Sequence, residues 1–418
     1  MVADNLFSDS YPYSPLPVIV PVNGSTNITL QPSGCDTPLT AAVTRNPAHG
    51  SLTPLNNDQT IYTPGNNYSG PDSFEFQVSD ACGEAARFIV PITVGVGAAG
   101  VFTLVTSNLD YNHLNGMDYS PTENALIVSE YGDSDYGGDN FLQLTTNSNG
   151  ALAVTNFSGV SGLPDEVKLA TEKENTNGFD EGDVYFGNNN NADVGWISAD
   201  GSQSNLNWSI LTNNAVTNTM HIRGGLYVDQ TGVFSNDLIA LASDGHAAPE
   251  VWLVNSNGSP TLLAQIPTQI EAGSGDILEG VISLPDNTNQ WGPWAGKILT
   301  GDEDYGILYT IDTNGTVTPY DLGIASDDFN IIPTNEDLYV CDYDNSRMLK
   351  LSRSLFSNYV GDLLITQEGG VGSIPAELFV VNWDGTNFIS REINVSAYAG
   401  ESEDAIFAPL NLPSQPMQ

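Results

Sequence analysis

Basic residues are almost missing from this chain: 10 Lys plus Arg stand against 51 Asp plus Glu in 418 residues, a formal net charge of -41. The acidic count is ordinary for that length, so the imbalance comes from the missing cations. Nucleic acids and anionic membranes are held by clustered Lys and Arg, and the deficit argues against both as partners. Cations and neutral glycans suit such a chain better. Cysteine is scarce as well, with three residues, too few for a disulfide scaffold. Cys35 and Cys82 could bridge within the first hundred residues, whereas Cys341 ends the apolar run Leu338-Tyr-Val-Cys341 and reads as a buried thiol.

Long apolar runs are absent too. No stretch approaches the roughly 18–20 apolar residues of a membrane span, and the start, Met1-Val-Ala-Asp4, carries neither the basic nor the apolar region of a signal peptide. Two expectations fit: an exported surface protein written without its leader, or a virion protein made in a host cytosol. The localisation expected is therefore an extracellular surface or a virion. Eight Asn-x-Ser/Thr sequons, from Asn23 to Asn394, are about what chance gives in so Asn-, Ser- and Thr-rich a chain.

What the chain does contain is turn punctuation, 41 Gly and 24 Pro, and no long amphipathic helix, which points to β structure throughout. One cassette recurs six times, as alternating apolar positions followed by a polar turn that usually ends in glycine. The copies are Phe141–Leu144, Val194–Ile197, Val251–Val254, Leu308–Ile311, Met348–Leu351 and Leu378–Val381. Period-two alternation closed by Asn-Gly or Asp-Gly is a hairpin signal, and its return about every 30–60 residues indicates a radial array. The expected product is a six-bladed β-propeller over residues 101–418, with each cassette as the third strand of a blade. Val101–Val105 is expected to close the last blade and remove its exposed edge.

The preceding segment has a different rhythm. Residues 1–15 read as a polar arm, residues 16–96 as a β-sandwich of six or seven short strands, and residues 97–100 as a short Gly/Ala linker. Tyr62, Phe74, Phe76 and Val78 alternate into its expected core. The elements His49-Gly-Ser-Leu52, Tyr62-Thr-Pro64, Tyr68-Ser-Gly70 and Asp72-Ser-Phe74 resemble the cadherin-like or Ig-like repeats of bacterial adhesins and other large surface proteins. That resemblance implies a spacer, anchor or adhesion unit and no chemistry. The chain has one copy, where the family typically has long tandem arrays.

The second half resembles the NHL and gluconolactonase-like six-bladed propellers, through blade pattern over residues 101–412. That group includes calcium-dependent lactonases and esterases, lyases and pure binding platforms, and fold alone does not choose among them. Taking the blades in chain order, Asn115, Glu166, Arg223, Glu279, Asp328 and Asp404 enter the first strands, while Glu130, Asn188, Asp244, Asp302, Asp342 and Glu368 leave the second. Nine of these twelve are carboxylates that would converge on one rim. Such a ring raises its own pKa values unless a cation screens it, and calcium takes oxygen ligands in flexible geometry. The lactonase resemblance implies a metal on the axis, with Asn115, Glu166, Glu279 and Asp328 matched to it by blade position. The plainer expectation is that these are solvated strand-end residues. Asp133, Asp135 and Asp139 offer a second calcium loop, and Gly301–Gly306 has similar composition.

His221 and Arg223 near the rim, and Trp291 and Trp294 in a loop on the opposite face, are candidate ligand-binding residues. The tryptophans could stack on a glycan or anchor the loop, while His113 and His221 read best as packing or hydrogen-bonding groups. No Gly-x-Ser-x-Gly elbow, His-Glu-x-x-His or phosphate loop occurs. The expected function is thus a non-enzymatic, surface-displayed structural or adhesion protein. Its sandwich would attach to a larger assembly, such as a cell surface or capsid and tail proteins, and its propeller would bind a ligand, glycan or neighbouring subunit. The alternative is a calcium-dependent hydrolase of the lactonase or esterase type.

Overall fold

The computed structural model describes residues 18–20, 23–29, 40–56, 59–66, 68, 70–79, 85–94, 100–107, 113–130, 141–163, 166–188, 192–211, 221–222, 224–243, 248–267, 278–302, 306–343, 345–367, 376–393, 395–396 and 402–416. Two compact units divide the chain: Met1–Ala99 with Phe388–Asn394, and Gly100–Asn387 with Val395–Gln418. The expected arm (1–15), the residues 95–99 at the expected linker, Cys35 and Cys82 lie outside the described residues.

The first unit holds two sheets. One runs in the order Val18–Val20, Ala85–Val94, Gly70–Ser79, Thr40–Arg45, and the other in the order Thr26–Thr29, Gln59–Pro64, Gly50–Leu52. Alternation along Gln59–Pro64 is strict, with Thr60, Tyr62 and Pro64 inward as one buried face requires. The core is Val20, Ile28, Tyr62, Phe74, Phe76, Val90, Ile92 and Val94. The side chain of Val78, the fourth core residue expected here, lies outside the described residues. Asp72 is tied into this core by structure: its carboxylate accepts from the Tyr62 hydroxyl at 2.8 Å and from the backbone N–H of Ala48 and His49 at 2.8 and 2.9 Å.

The second unit is a six-bladed propeller. Its innermost strands are Leu114–Ser120, Leu169–Thr171, Leu226–Val228, Leu278–Ser283, Ser326–Ile331 and Ser402–Ala408, and each touches the next, with the sixth returning to the first. The first four blades follow the chain in order, each as four antiparallel strands. All six cassettes are third strands. Apolar faces of successive blades pack on one another: Ile127 and Phe141 on Val184 and Phe186, Tyr185 and Val194 on Leu226 and Trp252, Ile239 and Val251 on Val281 and Tyr309. Each such side chain taken from water contributes about 1.5–3 kcal/mol.

Blades five and six depart from chain order. After its innermost strand Ser326–Ile331, blade five waits for Leu363–Gln367 and Glu377–Trp383, while the intervening Asp337–Asp342 pairs with Ser402–Ala408 and carries Arg347–Leu351 on its other side, both in blade six. The pairing expected from chain order, Asp328 with the strand of Asp342 and Asp404 with that of Glu368, is therefore exchanged. Two adjacent blades share their strands through a crossover that local hairpin signals cannot reveal. Thr103–Ser107 adds to Arg347–Leu351 and closes the sixth blade, as expected, and Gln415–Pro416 pairs with its outer side.

Candidate functional site

Innermost strands of four blades carry a β-bulge at one level. Register shifts fall between Leu114 and Met117, Glu279 and Val281, Ser326 and Asp328, and Cys341 and Asp342 against Ser402–Asp404. A bulge inserts one residue and re-aims a side chain. Here the residues at or beside the shift are Asn115, Glu279, Asp327 and Glu403. Gly280 sits in its bulge at φ +65, where a side chain would also meet the Asp327 carbonyl, so glycine is required there.

These groups surround one cation, the ammonium of Lys168, whose side chain is 8% exposed. Lys168 Nζ lies 3.2 Å from Glu403 Oε2, 3.5 Å from Glu279 Oε2 and 3.6 Å from Asp327 Oδ1. It also donates to the Glu403 carbonyl at 2.5 Å. Asn115 donates from Nδ2 to the same Glu403 Oε2 at 3.0 Å, while its Oδ1 is buried without a hydrogen-bond partner. Burial alone would lower the Lys168 pKa, but the carboxylates of Glu279, Asp327, Glu403 and Glu166 reverse this and hold it well above the ordinary value. One positive charge here faces four carboxylates. Burial, together with Glu166 and Glu279, pushes Glu403 up to about 8 against the pull of Lys168.

Against this layer lies an axial cavity of ≈ 230 Å³, lined by Lys168, Asp327 and Glu403 and by residues of all six blades, among them Met117, Tyr227 and Val281. It is also lined by Asp118, Asp328 and Asp404. Burial raises Asp328 to about 7, and burial with the neighbouring Asp328 raises Asp404 well above the usual carboxylate range. Asp118 is engaged by Lys173 Nζ at 2.5 Å and by the Thr171 N–H at 2.7 Å. Lys173, Gln230 and Glu336 also line the cavity.

Of the four residues matched to calcium, Glu279 pairs with Lys168 directly, Glu166 acts on it electrostatically and Asn115 joins through Glu403. Asp328 lies one layer down, accepting from Asn330 Nδ2 at 2.8 Å. The bulges account for this: they put Asp327 and Glu403, rather than Asp328 and Asp404, beside the cation. The donor set does not fit the implied calcium. Calcium takes six to eight oxygens at about 2.3–2.6 Å, and here an ammonium stands among those oxygens. Among the described residues no group of three or more His, Cys, Asp or Glu is arranged to hold a metal.

Two of the described second-strand residues have partners outside this cluster. Asp342 is paired with Arg347, and Asn188 donates to the Leu206 carbonyl at 2.8 Å; Glu130 and Asp302 are buried. His221 exchanges backbone hydrogen bonds with Ser243 at 2.8 and 2.9 Å. His113 hydrogen-bonds the Tyr343 carbonyl at 2.7 Å and stacks on its ring. Trp291 and Trp294 require a correction. They end the short helices Thr288–Trp291 and Gly292–Trp294 and are 2% and 0% exposed, with Trp294 edge-on to Tyr320 at 5.6 Å. Rings so buried present no face to a sugar and act as loop anchors. Arg223, Asp244, Glu368, Asp133, Asp135, Asp139 and residues 303–305 lie outside the described residues.

Lys168 is the residue that sequence reasoning passed over. A signal was present: one of only 10 basic residues stands inside the apolar run Val167-Lys-Leu-Ala170, where a lysine is almost never buried unless paired.

Residues 14–93 match the family model described as a bacterial Ig domain. No curated protein matches the chain. Among solved structures, virginiamycin B lyase from Staphylococcus aureus is similar at 10% identity and TM-score 0.36, covering 75% of this chain and 99% of that one. A DUF4784 family protein from Bacteroides caccae is similar at 8% identity and TM-score 0.34, covering 94% and 97%. The extracellular domain of a putative hybrid two component system from B. thetaiotaomicron is similar at 13% identity and TM-score 0.33, covering 69% of this chain and 34% of that one. The blade count rests on the strand pairing itself.

Proposed function

We propose that this is an extracellular structural and binding protein in which the Ig-like domain attaches the chain to a larger assembly, at a bacterial surface or on a virion, and the propeller is displayed to bind a ligand or neighbouring subunit. The observation that carries the reading is the bacterial Ig match over residues 14–93 on the same chain as a propeller. Three carboxylates at the propeller axis, Glu279, Asp327 and Glu403, are paired with Lys168. The scarcity of basic residues favours a neutral or cationic ligand over a phosphate-bearing one. With Trp291 and Trp294 inside the protein, a glycan would have to be met elsewhere on the propeller.

The test is surface accessibility in the native source: protease shaving and antibody labelling of intact cells or purified particles. Exposure of the propeller to both is expected, with loss of attachment when the Ig-like domain is blocked by a domain-specific antibody fragment. Recovery of the protein solely from the cytosol would sink the proposal. The competing hydrolase is tested by ester and lactone turnover with and without calcium, and calcium-dependent turnover abolished by Glu279→Gln would favour it.

A further inference from the structure

The axial cluster has the features of a built cation site. Four bulges aim side chains from four blades at one point, three carboxylates lie within 3.6 Å of the same nitrogen, and a buried amide oxygen, Asn115 Oδ1, stands in the cluster without a partner. Solvated strand-end residues need none of this. What fills the point is a side chain. An ammonium has three donors in tetrahedral directions, and here it meets Glu403 through both its carbonyl and its carboxylate, with Glu279 and Asp327 on its remaining sides.

We propose that the axial ring is a cation site whose resident cation is part of the chain: the Lys168 ammonium holds Glu279, Asp327 and Glu403 together in place of a metal ion, and trimming Lys168 opens the same oxygens to small cations. Lys168 precedes the innermost strand of blade two, while its partners belong to blades four, five and six. One side chain thus ties four blades across the axis, as a shared metal would, with no ligand to lose. This holds whether or not the propeller is a binding platform.

The experiment compares melting of the full-length wild type, Lys168→Met, Lys168→Ala and the triple variant Lys168→Met, Asp327→Asn, Glu403→Gln, each in chelator, in calcium and in propylammonium. Propylammonium replaces the part of the side chain that the alanine lacks. Removing one partner of a buried ion pair leaves uncompensated charge, so Lys168→Met is expected to melt lower by about 5–10 °C, and the triple variant to regain most of that loss. Lys168→Ala is expected to recover in propylammonium or calcium, with a midpoint that rises with the logarithm of concentration. Any effect of calcium on the wild type should be unchanged by Glu279→Gln. The inference is overturned if Glu279→Gln removes a calcium stabilisation of the wild type, since a metal is then the resident cation, or if Lys168→Met melts with the wild type. A folded Lys168→Ala that answers neither cation defeats the latent site. Should it fail to fold, the wild-type calcium comparison and the triple variant still decide.

Discussion

Asp404 Oδ2 accepts the backbone N–H of Met117 at 2.6 Å, joining the innermost strand of the sixth blade to that of the first across 287 positions of sequence. The Met117 N–H follows the bulge of its own strand, where Leu114 pairs with Glu130 and Met117 with Val128. The Asp404 carboxyl is therefore part of the seam where the ring of blades closes.

Asp404→Ala should destabilise the propeller by about 1–3 kcal/mol, the cost of leaving a buried N–H without its acceptor. Asp404→Asn keeps an oxygen of the same reach and should cost much less, because that oxygen can still accept the Met117 N–H. Chemical denaturation of the two variants checks this. Equal losses would assign the effect to packing rather than to the hydrogen bond.

Stability should fall as pH rises from about 5 to about 8. Asp328 is raised from 3.8 to about 7 and Glu403 from 4.5 to about 8, so between the unfolded and folded values the native state binds more protons than the unfolded state. The slope is negative through that window, and the stabilisation is fully present only below the unfolded values. The groups facing Glu403 are Lys168, Glu166, Glu279 and Asn115, and those facing Asp328 are Lys168, Asn330 and Asp404. Lys168, raised above its ordinary 10.5, adds a second loss at strongly alkaline pH. Melting temperatures across pH 5–8 test the first window, and Glu403→Gln should flatten the slope. A rising profile would contradict the assignment.

How much of this was legible before the structure follows from how local each signal is. The third strands could be found from Phe141–Leu144 or Val251–Val254 alone, because a hairpin advertises itself within ten residues or so. The exchange of strands between blades five and six depends on Asp337–Asp342 pairing with Ser402–Ala408, some sixty residues on, and the intervening turns look the same either way. Asp328 and Asp404 were expected at the axial ring where Asp327 and Glu403 stand, because a bulge shifts alternation by one residue and turns the other face inward. Trp291 and Trp294, flanking Gly-Pro, carry no mark in sequence that separates a buried anchor from an exposed platform.

Tyr339→Phe should cost about 1–3 kcal/mol, visible as a melting shift of about 2–6 °C. The Tyr339 ring is fully buried, and its hydroxyl donates to the Leu410 carbonyl and accepts from the Leu412 N–H, both at 3.2 Å. Burial pushes this hydroxyl up to about 12, so it stays a donor across the physiological range. The segment it holds, Leu410 to Leu412, precedes Gln415–Pro416, which pairs with the closing strand Thr103–Ser107. Hydrogen exchange at Leu412 should rise in the variant, and an unchanged rate there would show that the segment is held by packing alone.

The Ig-like unit has its own keystone in Asp72, and the prediction is that Asp72→Ala unfolds this unit at lower temperature than any single surface change. Its carboxylate takes four hydrogen bonds: Oδ1 accepts from the N–H groups of Ala48 and Ser73 at 2.8 and 2.9 Å, and Oδ2 from the His49 N–H and the Tyr62 hydroxyl at 2.9 and 2.8 Å. Alanine would leave two N–H groups of the Pro47–His49 turn and the buried tyrosine without acceptors, a loss of several kcal/mol in total. An asparagine side chain could satisfy part of the set but must turn its amide N–H₂ toward N–H donors, so Asp72→Asn should fall between alanine and wild type. Tyr62→Phe removes only one of the four bonds and should cost least. Proteolytic susceptibility of the unit ranks the three variants, and the expected order is alanine first, asparagine second and Tyr62→Phe last. If Tyr62→Phe matched Asp72→Ala, the hydroxyl contact alone would be holding the turn, and the role assigned to the two backbone N–H groups would be wrong.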